Sequence, residues 1–105
     1  MYTKENLAQL KKMDSHAPQV MKAFWAFDKA AVADGAIPVK YKELIAVAVA
    51  LTTQCPYCIK VHTKNAKKAG ASKEEVAEAV FLAAAIRSSG AAAHGGMALR
   101  YYDEE

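Results

Sequence analysis

Apolar residues recur at the three-to-four-residue spacing of α-helices along most of the chain, and this pattern constrains the fold more than any other feature. No stretch alternates steadily between apolar and polar residues, and no Asn-Gly or Asp-Gly pair joins two such stretches, so strands and hairpins are not expected. The few glycines and prolines fall at plausible helix ends. The sequence therefore predicts an all-α protein, and its 105 residues leave room for a single domain over 1–105.

These signals predict six helices. They are expected over about 3–13, 15–35, 39–53, 55–69 and 72–89, with a separate short helix over 91–102. In the first helix, Leu7 and Leu10 are expected to face a core. The third helix is apolar nearly all round, which is typical of a central, buried helix.

Helix-start and helix-stop signals set several of these boundaries. Pro18 is expected in the first turn of the second helix, where its missing N–H costs nothing. Ser72 and Glu75 form the capping-box pattern that begins the fifth helix. Gly90 and the pair Gly95-Gly96 predict that the fifth helix breaks or kinks before the chain reaches the sixth.

Charge and hydropathy narrow the possible partners and the location. The net charge of +3 is spread along the chain, and no nucleic-acid-binding motif is present, so no nucleic acid is expected as a partner. The densest basic run consists of Lys60, Lys64, Lys67 and Lys68. It shares one helix face, and we interpret it as a solvated face rather than a patch for anionic ligands. The N-terminal stretch lacks the apolar run of a signal peptide, and the longest apolar run, 44–51, is too short for a membrane span. We expect a cytoplasmic protein with no membrane partner.

The only two cysteines, Cys55 and Cys58, stand two residues apart at the predicted start of the fourth helix. In a compartment that keeps thiols reduced, such a pair is more typical of redox or metal chemistry than of a structural disulfide. A helix N-terminus favours the thiolate, so a lowered pKa is expected. His62 lies four residues after Cys58 and on the same helix face, which predicts that Cys58 is the histidine-coupled thiolate. Cys55 is then left to close the disulfide.

Glu43 is the charged exception at the edge of the most apolar helix. A partly buried carboxylate needs a partner or a chemical role. The alternative is an exposed glutamate near the helix start, favoured there by the helix dipole. Periodicity alone does not separate these two interpretations.

Zinc binding is the main alternative to redox chemistry. Cys55, Cys58 and His62 are ligands of suitable type, with His94 or Glu43 as a possible fourth. Structural zinc sites usually show a second pair of ligands, however, and this chain has no further cysteine. A third possibility is two inert, reduced thiols, which the helix-start position beside proline disfavours. We therefore predict a redox dithiol with no bound metal or cofactor.

The spacing of Glu43, the Cys55-x-x-Cys58 pair and His62 resembles the signature of AhpD-like alkylhydroperoxidases, within the carboxymuconolactone decarboxylase superfamily. The resemblance covers most of the chain and implies an all-helical bundle that assembles as a homo-trimer or homo-hexamer. It implies that Cys58 attacks a hydroperoxide, that Cys55 then condenses with it, and that His62 and Glu43 form the proton relay. A dithiol donor, such as a lipoyl group or a small redox protein, would reduce the resulting disulfide.

Two departures from the family pattern bear on this expectation. Some family peroxidases carry a further histidine between the two cysteines, where this chain has Pro56 and Tyr57. The chain is also shorter than the best-known peroxidases of the family. General disulfide reduction, or redox sensing without peroxidase turnover, is therefore the alternative function. The dithiol itself argues against lactone decarboxylation, because the decarboxylases do not use it.

Overall fold

The computed structural model describes residues 3–104, apart from the side chain at position 7, and shows an all-α fold, as predicted. Its helices are α1 (Lys4–Lys11), α2 (Met13–His16), α3 (Pro18–Val32), α4 (Val39–Thr53), α5 (Pro56–Lys68) and α6 (Lys73–Asp103). No strand occurs within residues 3–104. The orientation predicted for Leu7 lies outside the described part of the molecule, and the Leu10 side chain is 42% exposed.

Several predicted boundaries are confirmed. Helix α4 spans the predicted 39–53, and α5 begins at Pro56 in the first helical position. The capping box at the start of α6 is complete. The Ser72 hydroxyl accepts the N–H of Glu75 at 3.0 Å, and the Glu75 carboxylate accepts the N–H of Ser72 at 2.9 Å. Two orphan amide donors at the helix start are thereby satisfied.

The prediction for the second helix was wrong at both ends. Residues 13–16 form the separate turn α2, and α3 runs only from Pro18 to Val32. Ala17 separates the two with φ −141° and ψ 65°, outside the helical region. The ring of Pro18 disfavours helical geometry at the preceding residue, so the chain breaks there.

The predicted break after the fifth helix was also wrong, because α6 continues unbroken for 31 residues from Lys73 to Asp103. Glycine weakens a helix by about 1 kcal/mol relative to alanine, but it keeps its N–H and does not clash as proline does. Gly90, Gly95 and Gly96 therefore lower the intrinsic stability of α6 without ending it. A Cβ added at any of the three would meet no heavy atom within 4 Å inside the chain.

The connection between α4 and α5 is only two residues long and positions the dithiol. Gln54 ends α4 in the left-handed region, at φ 57° and ψ 51°, and its N–H binds the Ala50 carbonyl. The N–H of Cys55 also binds the Ala50 carbonyl, at 3.0 Å. Both bonds close the C-terminal end of α4, so the first cysteine is fixed directly to the end of that helix.

Helix α4 is the central element, as its apolar composition predicted, but the prediction that it is buried was wrong for a single chain, in which Ile45 and Val49 are 51% and 53% exposed. It packs against both α5 and α6. Lys40 on α4 pairs with Glu75 on α6 at 2.9 Å, and the Arg87 guanidinium of α6 donates to the Thr52 carbonyl in the last turn of α4. Helix α6 is therefore held to α4 near both ends of α4.

The buried core of a single chain is small. The apolar residues that are almost fully buried among residues 3–104 are Met21, Val47, Ala50, Ala66 and Ala83. The chain exposes 8390 Å², whereas a compact monomer of this mass exposes about 5,700 Å². Its radius of gyration is 17.9 Å, against about 13 Å for a compact domain of this length. Much apolar surface on α3, α4 and α6 thus remains outside the core of one chain.

Candidate active site

Cys55 occupies the N-cap of α5, and Cys58 lies in the first turn of the same helix. The Cys55 backbone is extended, at φ −104° and ψ 95°, and its Sγ accepts the N–H of Cys58 at 3.4 Å. Both thiols are free and partly exposed. A sulfur at an N-cap faces the unpaired amides of the first turn, which stabilise negative charge. The local fold therefore places the dithiol where a thiolate is favoured.

The two thiols have opposite pKa shifts, and the direction differs from the sequence prediction. The pKa of Cys55 is lowered because the Cys58 thiol and the backbone N–H groups of Cys58 and Tyr57 hydrogen-bond to its thiolate. The pKa of Cys58 is raised to about 11 because its thiol donates to Cys55, and because burial and the Cys55 charge oppose a second thiolate. The pair thus favours a single negative charge, with Cys55 as the more acidic thiol.

Glu43 and His62 form a direct pair within one chain. Glu43 is 3% exposed, and its Oε2 lies 2.7 Å from Nδ1 of His62. The buried carboxylate on α4 therefore has its partner on α5, and the interpretation of Glu43 as an exposed glutamate near the helix start is wrong. A carboxylate on Nδ1 fixes the orientation of the ring and leaves Nε2 as the nitrogen that can exchange a proton.

His62 and Cys58 lie on the same helix, but no hydrogen bond joins them in the part of the chain that the structure describes. The sulfur of Cys58 is engaged with Cys55 instead. The site therefore consists of two adjoining pairs: a thiol–thiolate pair at the helix start and an imidazole–carboxylate pair one turn later. Such an arrangement can hold one thiolate and store one proton beside it.

Asp28 is a contributor that sequence reasoning missed. Its negative charge, on α3, is one of the smaller causes that raise the pKa of Cys58. No spacing rule relates residue 28 to the dithiol, because the effect of its charge on Cys58 depends on the tertiary fold. Only the tertiary structure reveals the contribution of Asp28.

The zinc alternative has no preformed site. Among the described residues, no group of three or more His, Cys, Asp or Glu side chains is placed to hold a metal ion. His94, the proposed fourth ligand, instead lines a groove between α4 and α6, together with Thr52 and Arg87. The structure therefore brings together Cys55 with Cys58, and Glu43 with His62, but does not place His94 with them.

Comparisons with known proteins agree with this architecture. The profile of the carboxymuconolactone decarboxylase family matches residues 18–100. A Paracoccus denitrificans protein described as "Uncharacterized protein 4 in cox locus" is 49% identical over 82 residues, which are 78% of this chain and 74% of that protein. An uncharacterized protein from Cupriavidus necator is 37% identical over 86 residues, covering 82% of this chain and 76% of that protein.

Two crystal structures share the fold. A carboxymuconolactone decarboxylase family protein from Legionella pneumophila, solved in its apo form, superposes with a TM-score of 0.73 at 39% identity, covering 80% of this chain and 75% of that one. A protein from Methanobacterium thermoautotrophicum superposes with a TM-score of 0.75 at 30% identity, covering 81% of this chain and 98% of that one. Because the family profile spans most of α3 to α6, including the dithiol and the Glu43–His62 pair, this chain belongs to the carboxymuconolactone decarboxylase family and to its AhpD-like branch.

Proposed function

We propose that this protein is a thiol-dependent peroxidase that cycles Cys55 and Cys58 between dithiol and disulfide. The observation that carries the proposal is the 2.7 Å pair of Glu43 and His62 one helical turn beyond a hydrogen-bonded dithiol. A peroxidase must form a thiolate and must also deliver a proton to a leaving oxygen. The two adjoining pairs supply these two requirements.

In the first step, the dithiol gives one proton to His62, and Glu43 stabilises the resulting imidazolium. The thiol pair then holds one proton and one negative charge; this proton moves from Cys58 to Cys55, and the less populated Cys58 thiolate that results attacks the terminal oxygen of the hydroperoxide. The O–O bond breaks, and the alkoxide takes the proton of His62 and leaves as an alcohol. Cys58 is now a sulfenic acid.

In the second step, the sulfur of Cys55 attacks the sulfur of the Cys58 sulfenic acid. The S–O bond breaks, and the departing hydroxide takes the Cys55 proton to form water. One hydroperoxide and two thiols have become one alcohol, one water and one disulfide. An external dithiol, such as a lipoyl group or a small redox protein, restores the thiols by exchange.

Disulfide reduction without peroxide chemistry is the second candidate, and the lowered pKa of Cys55 favours it. In thiol–disulfide exchange the more acidic thiol attacks the substrate disulfide, and the second thiol releases the product. In this cycle Cys55 is the attacking thiol and Cys58 the resolving one. The two candidates therefore assign opposite roles to the same two sulfurs.

The test is a turnover assay with the purified, reduced protein, in which hydroperoxides and small disulfides are each paired with several dithiol donors. The peroxidase proposal predicts stoichiometric loss of both thiols after one equivalent of hydroperoxide, followed by sustained consumption when a dithiol donor is present. The control is a Cys55→Ser, Cys58→Ser double variant, which should consume none. If both thiols survive the hydroperoxide while small disulfides are turned over, the protein is a disulfide reductase and the peroxidase proposal fails.

A further inference from the structure

Helix α5, which carries the dithiol, also carries a continuous basic face that consists of Lys60, Lys64, Lys67 and Lys68. All four residues are exposed. None of them pairs with a carboxylate among the described residues. From its spacing alone we interpreted this run as a solvated face. Its charge environment and its place in the fold support a further role.

Acidic residues are missing from the whole stretch of sequence around this basic face. Residues 44–73 contain five lysines and neither aspartate nor glutamate, whereas the remainder of the chain carries nine basic and eleven acidic residues. A helix surface that only needs solvation can mix both signs of charge. A surface of one sign creates a field that attracts oppositely charged partners. The excess positive charge of the chain is therefore concentrated around the helix that carries the dithiol.

The basic face begins at the dithiol turn. Tyr57 stands between the two cysteines, and Lys60 follows it by three residues. Lys64 and Lys67 continue the same three-to-four-residue spacing, so all four residues share one side of α5. Ala66, on the opposite side, is fully buried. From Tyr57 to Lys67 this side is about 15 Å long at the usual rise per residue, which exceeds the reach of one small anion and suits a protein surface.

We propose that the basic face of α5 docks an acidic protein whose own dithiol reduces the Cys55–Cys58 disulfide. The inference rests on the proposed dithiol–disulfide cycle, which both candidate functions share, and it adds the surface chemistry of the electron donor. One donor thiolate attacks a sulfur of the disulfide, the Cys55–Cys58 bond breaks, and the other sulfur leaves as a thiolate. The donor's second thiolate then displaces the first. The donor ends as a disulfide, and Cys55 and Cys58 take up the two protons that the donor thiols released.

Nucleic acid is the competing polyanion. Proteins that bind single strands place several aromatic side chains among the basic ones, because the bases stack on them. Tyr57 is the single tyrosine, phenylalanine or tryptophan of α5, and its hydroxyl donates to the Thr3 carbonyl at 3.3 Å. A dithiol at the head of the basic face has no use in nucleic-acid binding, but it is the group that a redox protein must reach. The position of the dithiol therefore favours an acidic redox protein.

The test follows reduction of the oxidised protein by two matched peptides. Both contain the same Cys-Gly-Pro-Cys dithiol, flanked by glutamates in one peptide and by lysines in the other. The protein disulfide is prepared with diamide, so the experiment does not depend on hydroperoxide. Each rate is divided by the rate of the same peptide with a neutral small disulfide, which corrects for the different thiol pKa values of the peptides. We expect the acidic peptide to react at least ten-fold faster at low ionic strength, and the difference to shrink at about 0.5 M salt because ions screen the lysines.

Reversing one charge locates the contact. Lys64→Glu should lower the corrected rate with the acidic peptide about three- to ten-fold at low ionic strength, and it leaves the first turn of α5 unchanged. The matched control is Lys22→Glu, which makes the same change at an exposed lysine of α3 and should stay within about two-fold of the wild type.

Equal corrected rates for the two peptides would overturn the proposal, and so would an effect of Lys64→Glu no larger than that of Lys22→Glu. Binding of duplex DNA near physiological salt that Lys64→Glu abolishes would assign the face to nucleic acid and also overturn it. A protein that forms no disulfide with diamide would overturn both this proposal and the dithiol cycle. If the peptides behave as expected but hydroperoxide leaves both thiols intact, the docking proposal stands and the peroxidase proposal alone fails.

Discussion

Replacing Glu43 by glutamine tests the imidazole–carboxylate pair most sharply. Glu43→Gln preserves the size of the side chain and an acceptor oxygen but removes the negative charge 2.7 Å from Nδ1 of His62. The histidine keeps a neighbouring acceptor but loses the carboxylate that pairs with its Nδ1 and fixes its ring. We therefore expect both stability and proton transfer to fall.

The size of the expected stability loss in Glu43→Gln depends on the burial and geometry of the Glu43–His62 pair. Hydrogen bonds to charged groups contribute about 1.5–3 kcal/mol. The carboxylate side chain is only 4% exposed, but the imidazole is 20% exposed, which places the loss near the middle of that range. A loss of about 2 kcal/mol lowers the melting temperature of a domain of this size by roughly 8–16 °C. Turnover should fall about ten- to a hundred-fold, which is no more than the lower limit of the roughly 10²–10⁴-fold contribution of a general acid or base, because Glu43 acts through His62.

The assay combines thermal melting at fixed protein concentration with peroxide turnover for the wild type, Glu43→Gln, His62→Gln and the double variant. The double-mutant cycle isolates the energy of the pair. A positioning role also predicts that the pH profile of turnover changes in Glu43→Gln, which a purely structural role does not. If the double variant is destabilised by the sum of the two single losses, or if Glu43→Gln turns over within about two-fold of the wild type, the reasoning is refuted.

Three further predictions concern the dithiol and its supports. Alkylation of the reduced protein should show a first thiolate at a pH below the ordinary cysteine range and a second only near pH 11, because the pKa of Cys55 is lowered and that of Cys58 is raised. In Cys58→Ala, the pH of the first ionisation should rise. If that pH does not change, the two sulfurs do not share the charge. Ser72→Ala should lower the free energy of unfolding by about 1 kcal/mol, measured by urea titration, because one amide of the α6 start loses its acceptor. Arg87→Ala should lower it by about 0.5–1.5 kcal/mol by freeing the Thr52 carbonyl; no change in the urea midpoint would show that this contact contributes nothing.

Local sequence patterns predicted the elements whose boundaries depend on local chemistry. The start of α6 is set by Ser72 and Glu75, whose side chains and amides satisfy one another within a single turn. The extent of α4 is set by Pro38 before it and by the apolar run within it. These features need no information from distant parts of the chain.

Helix α6 continues past its three glycines because the helix propensity of a whole stretch, and not that of a single residue, decides whether a helix breaks. Gly90, Gly95 and Gly96 are unfavourable in a helix, but the flanking alanines are favourable, and the break needs proline or a positive φ. Among the described glycines, only Gly70, in the turn before α6, has a positive φ, of 97°. The sequence rule treated all of these glycines alike.

Within the site, spacing predicted which residues cluster but not how charge is shared among them. The i, i+4 relation between Cys58 and His62 correctly put both on one face of α5, yet it gave no weight to the N-cap sulfur of Cys55. That sulfur accepts the N–H of Cys58 at 3.4 Å, which is one of the contacts that lower the pKa of Cys55. The contact of Glu43 with His62 also depends on how α4 and α5 pack, which spacing alone does not specify.

The most direct test of the peroxidase proposal asks which sulfur receives the peroxide oxygen. Reduced Cys55→Ser and Cys58→Ser proteins are each treated with one equivalent of hydroperoxide in the presence of a sulfenic-acid trap, and the modified residue is located by peptide mass spectrometry. The proposed mechanism predicts rapid trapping at Cys58 in Cys55→Ser and little or none at Cys55 in Cys58→Ser. Faster trapping at Cys55, or no trapping in either protein, would contradict it.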